Sequence, residues 1–304
     1  MPRTGHRNIR NQPRKASTPL GVHGMTLANA QHAAAKAFEV TGIDDALLEA
    51  EILLRHVLHL DRASYFAELN QPISEEEAEA YDQVVSRRLA REPSAYITGH
   101  REFFALDFRV TPDALIPRPE TELLVEATRA RIAGEDAPLI VDVGVGCGAI
   151  AVATAANQPN VTVIATDVSF PALALTRLNA RLHNVDSRVA CVQADLLSGL
   201  HGRFDVIVTN LPYVRTSDWE TLEPEIREHE PRLALDGGPD GLSLIKRLLH
   251  QAAPFVEEGA EVYAEIGDDQ GEEAIAHART AMPWANVAVL PDLAGRDRML
   301  VVKR

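Results

Sequence analysis

Asp142-Val143-Gly144-Val145-Gly146-Cys147-Gly148 lies between a run of strand formers and a run of helix formers. Glycines in such a turn let the backbone bend sharply and approach a ligand closely. The helix behind them offers N–H groups with no partner in its own first turn. Alone, a G-x-G-x-G run is weak, and a tight βα turn without a ligand competes with it. The strand before and the helix after strengthen it. Asp167 follows 19 residues past Gly148, at the end of the next strand-like run. A carboxylate there can accept both ribose hydroxyls of a nucleoside. Loop and acid together point to an adenine nucleoside cofactor, and both NAD and S-adenosyl-L-methionine fit. A diphosphate usually takes G-x-G-x-x-G, and Asp142 would repel it. A cationic sulfonium carrying an ammonium group suits the same acid.

A third acid, Asp195, ends the third strand-like run, with Leu196 after it. In this geometry Asp195 can accept from the exocyclic amine of adenine, and Leu196 can pack on the ring. Asn210-Leu211-Pro212-Tyr213 ends the fourth. The Asn210 amide oxygen and the Leu211 carbonyl can both accept from a substrate NH2 group, which turns the nitrogen lone pair toward an electrophilic methyl. An amide nitrogen is a poor nucleophile, and two acceptors on its hydrogens raise its electron density. The reaction then needs alignment rather than a metal. Tyr213 offers a face to a planar substrate group.

These motifs require elements to hold them. Residues 26–91 show helical spacing: Ala30, Ala34 and Phe38, then Leu48, Ile52 and Leu53, then a helix opened by Ser74 with Glu77. Residues 96–100 and 103–110 read as two strands of a hairpin connector. From Leu139 onward strands alternate with helices, which implies a parallel sheet covered on both faces. The last two strands, 287–290 and 299–302, are too close for a helical crossover and should pair antiparallel. This gives four segments: a disordered basic tail at 1–24, a helical unit at 25–92, a hairpin connector at 93–112, and an α/β domain at 113–304.

At this point the chain resembles the release-factor glutamine methyltransferase family over residues 26–304. Besides the loop, Asp167 and the Asn210 motif, the resemblance rests on Tyr96-Ile97-Thr98-Gly99, Ile116-Pro117-Arg118-Pro119-Glu120-Thr121 and Leu235-Asp236-Gly237-Gly238-Pro239-Asp240-Gly241. Glu265-Ile266-Gly267 and Asp292-Leu293-Ala294-Gly295-Arg296 add to it. The family methylates the glutamine of the Gly-Gly-Gln loop in peptide chain release factors, using S-adenosyl-L-methionine. The resemblance implies a class I, Rossmann-like methyltransferase fold: a seven-stranded sheet with an antiparallel C-terminal hairpin, plus a small helical N-terminal domain that helps dock the release factor. It implies that Gly144, Val145, Gly146, Cys147 and Gly148 line the methionine part of the cofactor and that Asp167 binds ribose. Asp195 and Leu196 would flank adenine, and Asn210, Leu211, Pro212 and Tyr213 would hold the glutamine amide, with Asn210 also counted among the cofactor-binding residues. Four positions depart from the family pattern. Leu211 replaces a proline, Val145 and Cys147 replace a threonine and a small residue, and Leu196 stands where an aromatic is frequent. For Glu223, Glu225 and Arg232, cleft wall and solvated surface are equally open readings.

The 304 residues carry a formal net charge of −14. The first 25 residues hold five basic side chains and no acid, so the rest carries −19. An acidic body repels nucleic-acid phosphates and fits a basic protein partner better. A nucleic-acid adenine or guanine N-methyltransferase, sharing the Asn-x-Pro-Tyr logic, is the alternative enzyme. A non-catalytic cofactor-binding protein is the alternative outside enzymes, and an NAD-dependent dehydrogenase is a weaker third. Two cysteines outside any ligand cluster give no zinc signature. With no long apolar run and no secretory signal, a cytoplasmic protein without a membrane span is expected, with a monomer favoured.

Overall fold

The computed structural model describes residues 20–304, so the expected tail falls outside it up to residue 19. The chain divides into two compact units between Ile97 and Thr98.

The first unit is helical: α1 (Leu27–Val40), α2 (Ala46–Leu58), α3 (Arg62–Ala67), α4 (Glu75–Leu89) and α5 (Ser94–Thr98). Thr26 caps α1 by accepting from Asn29 N, and Ser74 with Glu77 forms the capping box that opens α4. The apolar stripes meet in one core that includes Leu27, Ala34, Phe38, Leu53, Leu54 and Val85. Buried tyrosines bring polar tips with them. Tyr65 donates to Gln31 Oε1 at 2.9 Å and Tyr81 to the Ala50 carbonyl at 3.1 Å, which satisfies groups that would otherwise be costly to bury. Two expectations change here. Val22 is fully buried in this core, so residues 20–24 belong with the helical unit rather than with a tail. Residues 96–99 are not a strand. The Pro93 carbonyl accepts from Tyr96 N and Ile97 N, starting a helical turn despite the strand-like side chains, and Gly99 at φ +76° stops it.

The second unit opens with a hairpin of β1 (His100–Phe103) and β2 (Leu106–Arg109). Its turn lies at Phe104–Ala105, inside the stretch that composition reads as one strand. Both residues take positive φ, an arrangement glycine usually provides. Tertiary contacts offset the cost: Phe104 N donates to Glu122 Oε1 at 2.8 Å, and Arg129 stacks on the Phe104 ring.

After α6 (Glu122–Arg131), the alternation β3 (Leu139–Val143), α7 (Ala149–Asn157), β4 (Thr162–Asp167), α8 (Phe170–Leu182), β5 (Val189–Gln193) and β6 (Val206–Thr209) builds the parallel part. Next come α9 (Pro224–His229), α10 (Ser243–Ala252), β7 (Glu261–Glu265), α11 (Gly271–Ala281), β8 (Asn286–Pro291) and β9 (Asp297–Lys303). The seven strands run β5-β4-β3-β6-β7-β9-β8, and β9 alone runs opposite to the other six. One core layer, with Ile140, Val152, Val163, Leu173 and Val208, lies on one sheet face. The other, with Val141, Ile207, Leu248, Val262 and Leu300, lies on the opposite face. The strand order reverses at β3, whose two neighbours are β4 and β6. Crevices at such a switch point open at the carboxyl ends of the strands and are where ligands bind in open α/β sheets.

Candidate functional site

A cleft of about 590 Å³ lies at that switch point, within the range of small-molecule sites. The strand ends contribute Gly144, Gly146, Asp167, Asp195, Leu196, Asn210, Leu211 and Pro212 to its lining. The sequence motifs are therefore brought together from four strands. Loops complete the wall with the 112–115 segment and with Pro231, Leu233 and Ala234.

The glycine loop is held from below and from the side. Gly144 N and Val145 N donate to the Thr166 carbonyl at 2.8 and 2.9 Å, and Gly146 N donates to Asp167 Oδ2 at 3.0 Å. Thr176 and Asn179, both on α8, donate to the Gly146 and Cys147 carbonyls. Val145 and Cys147 are buried in a core layer, and burial pushes the Cys147 thiol up to about 12. Gly148 faces Thr176, where an added Cβ would come within 2.9 Å of the Thr176 methyl. These three residues are not on the cleft wall; Gly144 and Gly146 are. Leu211, buried, packs on Gly144: a Cβ there would lie 2.9 Å from Leu211 Cδ2. The side chain that departs from the family pattern thus points into the core, and its carbonyl accepts no hydrogen bond among the described residues.

The acids differ in their engagement. Asp167 Oδ1 accepts from Ser169 N at 2.8 Å while Oδ2 takes Gly146 N, and each oxygen keeps a second lone pair. Asp195 is already paired, with Arg247 Nη2 at 2.5 Å, and both residues border the cleft. Leu196 takes φ +55° to turn its side chain in under them. Asp142 is buried beneath the loop. Its Oδ2 accepts from Ala151 N at 2.9 Å, and its Oδ1 has no partner. Burial pushes its carboxyl up to about 7, against the Ala151 bond and with the Asp167 charge adding to the rise.

That shift has a sign. The native state keeps a proton that the unfolded chain loses near pH 4, so this group's contribution is full below that pH. It is lost as pH rises toward 7. Asp142→Asn should flatten the fall in thermal midpoint between pH 4 and pH 8, with an upper bound of about 4 kcal/mol on the change. An unaltered slope in pH-dependent melting would show that Asp142 is not its source.

Asn210 and Tyr213 stand on a buried network that sequence reasoning leaves unassigned. Asn210 Nδ2 donates to Thr121 Oγ1 at 2.9 Å, and Thr121 Oγ1 donates to Glu265 Oε2 at 2.7 Å. Tyr213 OH donates to Glu265 Oε1 at 3.2 Å. Burial raises the Glu265 carboxyl, opposed by both hydroxyl bonds and the Arg298 charge; burial also raises the Tyr213 phenol. Tyr213 is thus tied behind Asn210 and is not among the residues lining the cleft. Gln270 Nε2 donates to the Tyr213 carbonyl at 2.8 Å. Gly237 and Gly241 press on the same loop: an added Cβ at Gly237 would lie 2.6 Å from the Pro212 carbonyl, and one at Gly241 would collide with the Tyr213 carbonyl. Glu230 receives Ile116 N at 3.1 Å and pairs with Arg118. Arg232 pairs with Asp236 and stacks on Trp219, and neither it nor Glu223 nor Glu225 lines the cleft. The segments around Ile116, Asp236 and Glu265 carry the family resemblance, and that was the available signal. Which atoms they touch emerges only when β6, β7 and the 3-10 turn Pro119–Thr121 meet.

A parallel sheet closed by an antiparallel C-terminal pair, with a glycine-loop cleft at its switch point, defines a Rossmann-like class I methyltransferase domain. Comparison with known proteins gives the particular family. Residues 29–99 match the PrmC N-terminal domain and residues 119–238 the methyltransferase small domain. The release factor glutamine methyltransferase of Moorella thermoacetica is 41% identical over 281 residues, 92% of this chain and 99% of that one. Its counterpart in Cereibacter sphaeroides is 39% identical over 276 residues, 91% and 98% of the two chains. Among solved structures, the hMettl16 catalytic domain in complex with MAT2A 3′UTR hairpin 6 shares the fold, with a TM-score of 0.54 at 15% identity. It covers 72% of this chain and 81% of that one. The chain belongs to the release factor glutamine methyltransferase family. Among the described residues no helix is long and apolar enough to cross a membrane.

Proposed function

We propose that this chain transfers a methyl group from S-adenosyl-L-methionine to the side-chain amide nitrogen of the glutamine in the Gly-Gly-Gln motif of peptide chain release factors. One observation carries the reading. Asn210 commits its NH2 to Thr121, and its Oδ1 and the adjacent Leu211 carbonyl take no hydrogen bond among the described residues, at the wall of the cleft that also holds Gly144, Gly146 and Asp167.

The residues present fit the cofactor. Gly144 and Gly146 put bare backbone on the wall, with the Asp167 carboxylate beside them. The Asp167 carboxylate at the wall favours a cationic ligand over a diphosphate. Asp167 would hold the ribose, and Asp195 and Leu196 would border adenine, with Arg247 sharing the Asp195 carboxylate. Gly144 and Gly146 would face the methionine part. Val145, Cys147 and Gly148 would act through the shape of the loop. When bound, S-adenosyl-L-methionine supplies a methyl group on a positively charged sulfur. Asn210 Oδ1 and the Leu211 carbonyl would accept the two hydrogens of the glutamine amide and aim its nitrogen. Pro212 holds Leu211 in the extended region, so a leucine can present the same carbonyl as a proline. Tyr213, tied to Glu265, would fix that loop rather than stack on the substrate. The helical unit would help dock the release factor, consistent with an acidic body meeting a basic partner.

Asp167→Ala should act on binding first. Loss of hydrogen bonds to a charged acceptor is worth about 1.5–3 kcal/mol, so cofactor affinity should fall about 10- to 150-fold. Titration calorimetry with S-adenosyl-L-methionine checks this, and unchanged affinity would remove Asp167 from the site. The function itself is tested by transfer of labelled methyl from the cofactor to a purified release factor and to the same factor with Gly-Gly-Gln changed to Gly-Gly-Glu. Label should enter the first and not the second; equal labelling of both would reject the glutamine as acceptor.

A further inference from the structure

We infer that Thr121 and Glu265 decide which end of the Asn210 amide faces the cleft, and so act as positioning residues for methyl transfer. This rests on the glutamine-methylation reading, because there Oδ1, and not the NH2 group, must meet the substrate nitrogen.

A threonine hydroxyl has a single proton; the Thr121 and Tyr213 hydroxyl bonds and the Arg298 charge favour the ionised form of Glu265 against its burial, and an ionised carboxylate only accepts. Glu265, at the end of β7, receives the Thr121 hydroxyl at 2.7 Å and the Tyr213 hydroxyl at 3.2 Å. The Thr121 proton is therefore committed. Toward Asn210, 2.9 Å away, Thr121 Oγ1 can act only as an acceptor. Only the NH2 end of the amide satisfies it, and the opposite end, Oδ1, is turned to the cleft. Thr121 and Glu265 are both buried, so water cannot readily supply a substitute partner. Were the carboxylate not there to take its proton, Thr121 could donate to Oδ1 instead. The amide would then flip and set NH2 against NH2 in the reacting complex. The chain thus runs from a buried carboxylate through one hydroxyl to the amide that touches substrate. The three groups come from β7, the 3-10 turn Pro119–Thr121 and the loop after β6.

Thr121→Val keeps the shape and removes the acceptor, while Thr121→Ser keeps the acceptor. The valine variant should lose about 10²-fold in kcat, with cofactor affinity and the KM for release factor within about threefold of the parent. The serine variant should restore kcat to within about threefold. Thermal midpoints of both variants separate a folding defect from a lost orientation. Neutron diffraction of the unmodified protein reads the same polarity without turnover. The deuteron of Thr121 should point to Glu265, and the ND2 group of Asn210 to Thr121. Oδ1 found against Thr121 would overturn the inference. So would a valine variant with near-parental kcat, or a serine variant as slow as the valine one. A parent protein that methylates no Gly-Gly-Gln glutamine would instead reject the functional reading, and the neutron map would still decide the polarity.

Discussion

Asn210→Ala should lower the methyl-transfer rate by about 10²- to 10³-fold, the usual cost of deleting one pre-aimed hydrogen-bonding group in an active site. It leaves affinity for S-adenosyl-L-methionine within about twofold. The split follows from position. The Asn210 amide reaches Thr121 on one side and the cleft on the other, whereas the backbone proposed to face the cofactor is at Gly144 and Gly146, on a different strand end. Removing the side chain would delete the acceptor proposed for the substrate NH2 and leave the glycine loop and the Asp167 bonds that shape it untouched. Single-turnover rates at saturating cofactor, with calorimetry beside them, read the two effects separately. A variant with parental turnover would remove Asn210 from the chemistry.

Gly241→Ala unfolds or loosens the loop that carries Asn210. Gly241 sits at φ +75°, and an added Cβ would meet the Tyr213 carbonyl and the Gln270 amide nitrogen. The Tyr213 carbonyl is backbone and cannot swing aside, and Gln270 is buried and bonded to that same carbonyl at 2.8 Å. Backbone strain and the steric conflict together should cost about 3 kcal/mol or more, a fall of about 6–12 °C in thermal midpoint for a unit of this size. Rate should fall as well, because Tyr213 and Asn210 share one short loop. Gly295, at φ +77° with nothing within 4 Å of an added Cβ, serves as the control: alanine there should cost only its backbone strain, about 1–2 kcal/mol. A Gly241→Ala protein that melts and turns over like the parent would contradict the packing described.

The strand-end motifs were legible because chemistry and local structure coincide there. Gly144 and Gly146 need positive φ, Asp167 ends a strand, and Asn210 precedes a Pro-Tyr pair. The family resemblance also implied Val145, Cys147 and Gly148 as cofactor-lining residues. Val145 and Cys147 turn to the core and Gly148 faces Thr176 on α8, while Gly144 and Gly146 reach the cleft. The hairpin shows the reverse failure. Phe104 and Ala105 have strand-like neighbours, and their positive φ is sustained by Glu122 and Arg129 from α6, which local propensity does not report. Likewise Tyr96-Ile97-Thr98 reads as strand until the Pro93 carbonyl is seen to collect two amides. Thr121 and Glu265 are separated by 144 positions and join only through the sheet order.

The central claim is that Asn210 and the Leu211 carbonyl present a glutamine amide to a bound methyl donor. Its most direct test is mass spectrometry of a release factor incubated with this protein and S-adenosyl-L-methionine, with fragmentation across the Gly-Gly-Gln loop. One added methyl on the glutamine side chain, absent with Asn210→Ala, is the predicted result. An unmodified glutamine, with methyl found instead on RNA or at another residue, would contradict it.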